Sequence, residues 1–128
     1  MQANHYQHID PLVLLKAVAQ DQEAFCALSR TFLEITPPML ARLELAVRIN
    51  DYDAISHETH ALKGTTSLVG AIHLTSLIQE IEKLARVQDI NLVELIPALI
   101  SQFNLVTEDV EASIQKNDGS AGMKSSER

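Results

Sequence analysis

Apolar residues recur along this chain at spacings of three and four, the period of helices with one buried face. No stretch alternates apolar and polar residues with the period of two that marks a strand, and no segment repeats. Punctuation residues divide the pattern. Asp10 followed by Pro11 is a helix start, a side-chain cap and then a proline whose missing N–H costs nothing, so a short helix is expected over 11–19. Asp21 can cap a second helix with Ala24, Phe25, Leu28, Phe32 and Ile35 on its apolar side. Thr36-Pro37-Pro38 interrupts it. Thr36 can cap the next segment with Pro37 at its first position, and that segment runs to about Ile49 and buries Met39, Leu40, Leu43, Ala46 and Val47. The pattern leaves open whether 21–49 is one kinked helix or two.

Asn50 can take the left-handed conformation that closes a helix, and Asp51 can cap the next one, expected over 51–69 with Ile55, Leu62 and Val69 as its seam. Gly70 permits a tight turn. Helix 71–88 then carries Leu74, Leu77, Ile78, Ile81, Leu84 and Ala85, with Thr75, Gln79, Glu82 and Arg86 in a line beside that stripe. Residues 88–91 form a connector in which Asn91 is a candidate cap. The last helix, with Leu92, Leu95, Ile96, Leu99, Phe103, Val106, Val110 and Ile114, reaches about Gln115, and Pro97 predicts a kink or an irregular first turn. Successive amphipathic helices joined by short turns predict an all-α fold, an antiparallel up-and-down four-helix bundle with a short additional N-terminal helix. The expected organisation is an N-terminal extension at 1–9, one domain at 10–116 and a flexible polar tail at 117–128.

Composition narrows the function. A net charge of −7 and the lack of a basic stripe argue against nucleic-acid binding. Cys26 is alone, so no internal disulfide can form, and it reads as a small buried hydrophobe. No uninterrupted apolar run approaches the roughly 20 residues of a membrane span. The N-terminus has no basic region followed by an apolar one, so a cytoplasmic protein without a membrane anchor is expected.

Candidate chemistry lies in one stretch, His60-Ala-Leu-Lys-Gly-Thr-Thr-Ser-Leu-Val-Gly-Ala71. His60, Lys63 and Gly64 share one helical face, opposite the Ile55/Leu62/Val69 seam and together with Asp53, Ser56 and Ser67. A mid-helix glycine costs about 1 kcal/mol against alanine, which suggests that something must come close to that face. Other constellations fail. His57-Glu-Thr-His60 has histidines three apart where a zinc-protease helix needs four, and no histidine follows a glutamate by the three residues that a di-iron bundle uses. Lys63-Gly64-Thr65 reverses the order of a phosphate loop and lacks its upstream glycine. No metal site is expected, and His5, His8, His57 and His73 read as surface or capping residues.

The stretch resembles the signature of the histidine-containing phosphotransfer (HPt) domains of phosphorelays, in His60, Leu62, Lys63, Gly64, Thr65, Gly70 and Ala71, then Leu74, Leu77 and Glu82 on the following helix. The resemblance covers about 10–115. It implies a four-helix bundle and a phosphoryl carrier with no ATP site and no cofactor of its own. His60 would accept the group on Nε2 from the aspartyl phosphate of one receiver domain and pass it to an aspartate of another, with Mg²⁺ supplied by the receiver. Lys63 would offset the phosphoryl charge. Glu82 would accept from Nδ1–H, the alternative being a simple surface pair with Arg86. Gly64 would admit the receiver, with Ser56, Ser67 and Arg86 completing the partner-binding face. Response-regulator receivers and a hybrid sensor histidine kinase are the implied partners of a monomer. Two alternatives remain at this point: a receiver-docking adaptor without phosphotransfer, which could bury His60, or a domain phosphorylated directly by a kinase ATP domain.

Overall fold

The computed structural model describes residues 6–126, with side chains described through residue 116. Among them are five α-helices, one 3-10 segment and no strand. They are α1 (Pro11–Ala17), α2 (Gln22–Arg48), α3 (Tyr52–Leu68), α4 (Ile72–Arg86), a 3-10 segment (Ile90–Leu95) and α5 (Ile96–Ser126). α3 packs on α2 and α4, and α5 packs on the same two helices, which closes a ring of four antiparallel neighbours; α1 rests on α2.

Local chemistry sets most boundaries. Asp10, Asp21 and Asp51 accept from the backbone N–H of Leu12, Ala24 and Ala54 and so cap α1, α2 and α3. The ends of α2, α3 and α4 share one motif. Asn50, Gly70 and Gln88 take positive φ, and the next residue donates back to the carbonyls of Ala46, Thr66 and Leu84. Gly70 is constrained twice, because at φ +70 an added Cβ would also lie 2.7 Å from the Asp10 carbonyl oxygen.

Several sequence expectations change. α2 is one helix through Pro37 and Pro38. Thr36 caps nothing; it is buried and donates its hydroxyl to the Phe32 carbonyl at 2.7 Å. The prolines withhold N–H groups from the carbonyls of half-buried Leu33 and exposed Glu34, while Phe32, Thr36, Met39 and Leu40 hold the inner side in the core. Leu28 and Ile35, expected inside, are 41% and 42% exposed, because the buried stripe runs through Phe25, Ser29, Phe32, Thr36, Met39 and Leu43. Asp89, rather than Asn91, caps the entry to the 3-10 segment. Pro97 has no N–H for the Val93 carbonyl, and Ile96 fills that role with the tighter 3-10 bond.

At the N-terminal side, Ile9 is buried, Asp10 N–H donates to the Val69 carbonyl, and His8 N–H donates to Asp109 at 2.9 Å. The segment expected as an extension is therefore tied down over residues 6–9, and His8 is more than a surface residue, with its Nδ1 3.3 Å from Gln102. His5 lies outside the described residues. α5 continues to Ser126, past the expected stop at Gln115; no proline follows Pro97 to block its ladder. By length and composition alone the stretch Ile90–Lys116 is long and apolar enough to cross a membrane, although polar and acidic residues interrupt its apolar run. In the bundle its Leu92, Leu99, Phe103, Val106 and Val110 face the core.

Candidate functional site

α3 presents its seam inward and His60 outward. Ile55, Thr59, Leu62 and Thr66 are buried, and the threonine hydroxyls are satisfied within the bundle. Thr66 also shares a 2.8 Å hydrogen bond with Thr75, which pins α3 to α4 one turn beyond Lys63. On the opposite side the His60 side chain is 72% exposed, in mid-helix.

The flank of His60 toward α4 is charged. Glu82 stands next to the apolar stripe of α4 in sequence but is buried in the α3–α4 seam, with its side chain only 3% exposed. Three groups converge on it. Lys63 Nζ donates to Oε1 at 2.8 Å, Arg86 Nη2 donates to Oε2 at 3.0 Å, and His60 Nδ1 lies 3.4 Å from Oε2. The last contact is longer than the other two. Burial pushes the Glu82 carboxyl up, but the Lys63 hydrogen bond and charge, then the Arg86 charge and the His60 contact, outweigh it and leave the pKa lowered. Glu82 therefore pairs with Arg86, as the sequence allowed, but inside the seam rather than on a solvated face; it lies near the His60 ring, and it also binds Lys63, a contact the sequence does not announce. Lys63 does not extend freely toward the space above His60; its ammonium lies on the carboxylate.

The flank toward α2 is apolar. Gly64 is exposed, and a Cβ added there would meet nothing within 4 Å, so no helix crosses at this glycine. Beside it runs a groove of about 340 Å³ whose walls include Leu28, Ile35, Ala61, Thr65 and Leu68. Leu28 and Ile35 are seven residues apart on α2, a spacing that reads as core in the sequence and becomes a surface feature only through the way α2 is rotated. Ser67 is exposed and returns its hydroxyl to the Lys63 carbonyl at 2.8 Å. Ser56 is half-buried one turn before His60, and its carbonyl accepts from Thr59. His57 and His73 are exposed, as the sequence led us to expect. Among the described residues no group of three or more His, Cys, Asp or Glu side chains is placed to hold a metal ion.

Chemically, the arrangement is an accessible imidazole whose Nδ1 side faces a buried carboxylate, with two cations against one acid alongside. Such a site offers a ring nitrogen to an incoming electrophile and an excess positive charge to an anion.

Comparison with known proteins follows the same line. The sequence profile of the Hpt domain matches residues 27–114. No curated protein matches the chain. Among solved structures, the chain is similar to the crystal structure of histidine-containing phosphotransfer protein B (HptB) from Pseudomonas aeruginosa PAO1, with a TM-score of 0.79 and 26% identity over 88% of this chain and 98% of that one.

Proposed function

The chain belongs to the Hpt domain family, and from that premise we propose that His60 is the residue on which it carries the phosphoryl group. It is a histidine phosphotransfer protein of a two-component phosphorelay, a phosphocarrier whose partners are receiver domains and kinases. The observation that carries the assignment to His60 is the exposure of its ring at mid-helix beside Lys63, Glu82 and Arg86. A pure docking adaptor would have no use for an exposed imidazole set over a buried carboxylate.

The chemistry follows from the contacts. In the tautomer that carries its proton on Nδ1, 3.4 Å from Glu82 Oε2, the ring leaves the Nε2 lone pair free to attack. That pair forms the bond to phosphorus as the phosphorus–oxygen bond of the donor aspartyl phosphate breaks, and the aspartate carboxylate leaves with the bonding electrons. The ring keeps its Nδ1 proton and becomes positively charged, which the Glu82 carboxylate stabilises. The reverse sequence delivers the group to a second receiver. Gly64 leaves room for the receiver's active site, and the groove flanked by Leu28, Ile35 and Leu68 supplies an apolar docking surface for it. Ser56, Ser67 and Arg86 border the same approach.

The receiver brings Mg²⁺ and the acidic residues that hold it, and the carrier works as a cytoplasmic monomer that takes phosphate from a hybrid sensor kinase. Incubating His60→Gln with a panel of phosphorylated receivers from the same cell tests the assignment. The wild type should acquire acid-labile phosphate and the variant none; label on the variant at the wild-type level would move the site elsewhere.

A further inference from the structure

We propose that the two cations beside His60 have different roles: Lys63 is the standing counter-ion of the buried Glu82 carboxylate and positions it under the ring, whereas Arg86 leaves that carboxylate on phosphorylation and takes the phosphoryl oxygens. The inference rests on His60 as the phosphoryl carrier and concerns how the same site works.

Both cations contact Glu82 before any phosphate arrives, but they are held differently. Lys63 is 28% exposed and Arg86 63%, while the carboxylate between them is 3% exposed. A carboxylate so far from water needs a partner, and stripping both cations from it would leave a buried charge without compensation. One cation can move, and the two oxygens of Glu82 decide which. Among the described residues Lys63 is the partner of Oε1, so its departure would leave that oxygen bare. Oε2 has two neighbours, Arg86 Nη2 at 3.0 Å and His60 Nδ1 at 3.4 Å.

When Nε2 bonds to phosphorus the ring becomes a cation, and its Nδ1–H becomes a charge-assisted donor to Oε2. The charge that develops on the ring therefore replaces Arg86 at the oxygen that Arg86 vacates. Nothing replaces Lys63 at Oε1. The guanidinium is also the better match to the new ligand, because its planar fork can donate two parallel hydrogen bonds to phosphoryl oxygens. Arg86 ends α4, where its long exposed side chain can turn without disturbing the seam.

Phosphoramidate, a donor that needs no receiver, tests this. Nε2 bonds to its phosphorus as the phosphorus–nitrogen bond breaks, and ammonia departs with the bonding pair. A wild-type protein that gains no phosphohistidine at position 60 would overturn the carrier assignment itself. With the wild type phosphorylated, Arg86→Met should slow the initial rate about ten-fold, whether Glu82 is intact or replaced by glutamine. Lys63→Met should also slow it, because Arg86 is then retained by the carboxylate. Glu82→Gln should rescue that loss, bringing Glu82→Gln/Lys63→Met to within about two-fold of Glu82→Gln alone. Nitrogen NMR gives a direct signature: on phosphorylation the Arg86 guanidinium resonance should shift while the Lys63 ammonium resonance stays. A ten-fold loss for Lys63→Met that persists in the Glu82→Gln background would overturn the division, as would a Lys63 shift with Arg86 unmoved. If Lys63→Met alone does not fold, the Glu82→Gln pair, which has no buried carboxylate to strand, and the resonance shifts still decide the question.

Discussion

Lys63 Nζ lies 2.8 Å from Glu82 Oε1, although 19 residues separate them and one is on α3, the other on α4. The contact joins a half-buried ammonium to a buried carboxylate. It couples the helix that carries His60 to the helix that carries Glu82, so the charge state of Glu82 bears on stability and, in the proposed mechanism, on the ring as well.

The stability consequence has a definite sign. The Glu82 carboxyl is held below its ordinary value of about 4.5. A carboxyl depressed in the folded state stabilises the fold above the unfolded pKa, and that contribution is lost as pH falls through the folded pKa. The difference in unfolding free energy between wild type and Glu82→Gln should therefore be constant from neutral pH down to about 5 and shrink below it. Urea unfolding of both proteins at a series of pH values measures this; a difference that does not change with pH would show that the Lys63 and Arg86 contacts fail to stabilise the ionised form.

Gly64 separates access from folding. With open space at its Cβ position, Gly64→Gln should gain several tenths of a kcal/mol in helix propensity and melt at or above the wild-type temperature. Reacting atoms must approach to about 3–3.5 Å, so a side chain one turn from His60 should hinder a receiver while leaving a small donor such as phosphoramidate free to react. Slow transfer from a phosphorylated receiver with normal phosphorylation by phosphoramidate is the expected pair of results. Equal rates with both donors would remove the access argument.

Gly70 should behave in the opposite way. A side chain there needs a left-handed backbone at φ +70 and meets Asp10 backbone and side-chain atoms at 2.7–2.8 Å. Gly70→Ala should cost about 2–3 kcal/mol, from the left-handed penalty and the displaced Asp10 segment together. Denaturant unfolding gives the number. A loss under about 0.5 kcal/mol would mean that the α1 entry shifts at no expense.

The groove on the α2 flank predicts where affinity resides. Leu28 and Ile35 are about two-fifths exposed, so Leu28→Asn and Ile35→Asn should leave the bundle folded while lowering the melting temperature by several degrees, for the part of each side chain that is buried and the poorer helix propensity of Asn. Burying each against a partner should contribute about 1–2 kcal/mol, and each substitution should weaken binding of a receiver that exchanges phosphate with the wild type by about ten-fold. Titration calorimetry checks this, and undiminished affinity in the double variant would place the docking surface elsewhere.

Local features were legible in the chain because their physics is local. Asp10, Asp21 and Asp51 cap helices by bonding within three residues of themselves, and Asn50 and Gly70 stop them through their own backbone freedom. The period of the apolar residues predicted a helical bundle, left the number of helices in 21–49 open and turned His60 away from the α3 seam, and the His60–Lys63–Gly64 spacing marked the face proposed for the chemistry. What needed the tertiary structure was every property that depends on a neighbouring helix. Pro37 and Pro38 remain inside α2 because the packing of Phe32, Thr36 and Met39 fixes the helix on both sides of them. Leu28 and Ile35 belong to an apolar stripe wider than the seam, and only the positions of α3 and α5 decide which residues of that stripe stay outside. Glu82 looks like a surface residue in its own helix; it is buried because α3 lies over it, and it draws in Lys63 because a carboxylate removed from water must find a cation, wherever in the sequence that cation is encoded.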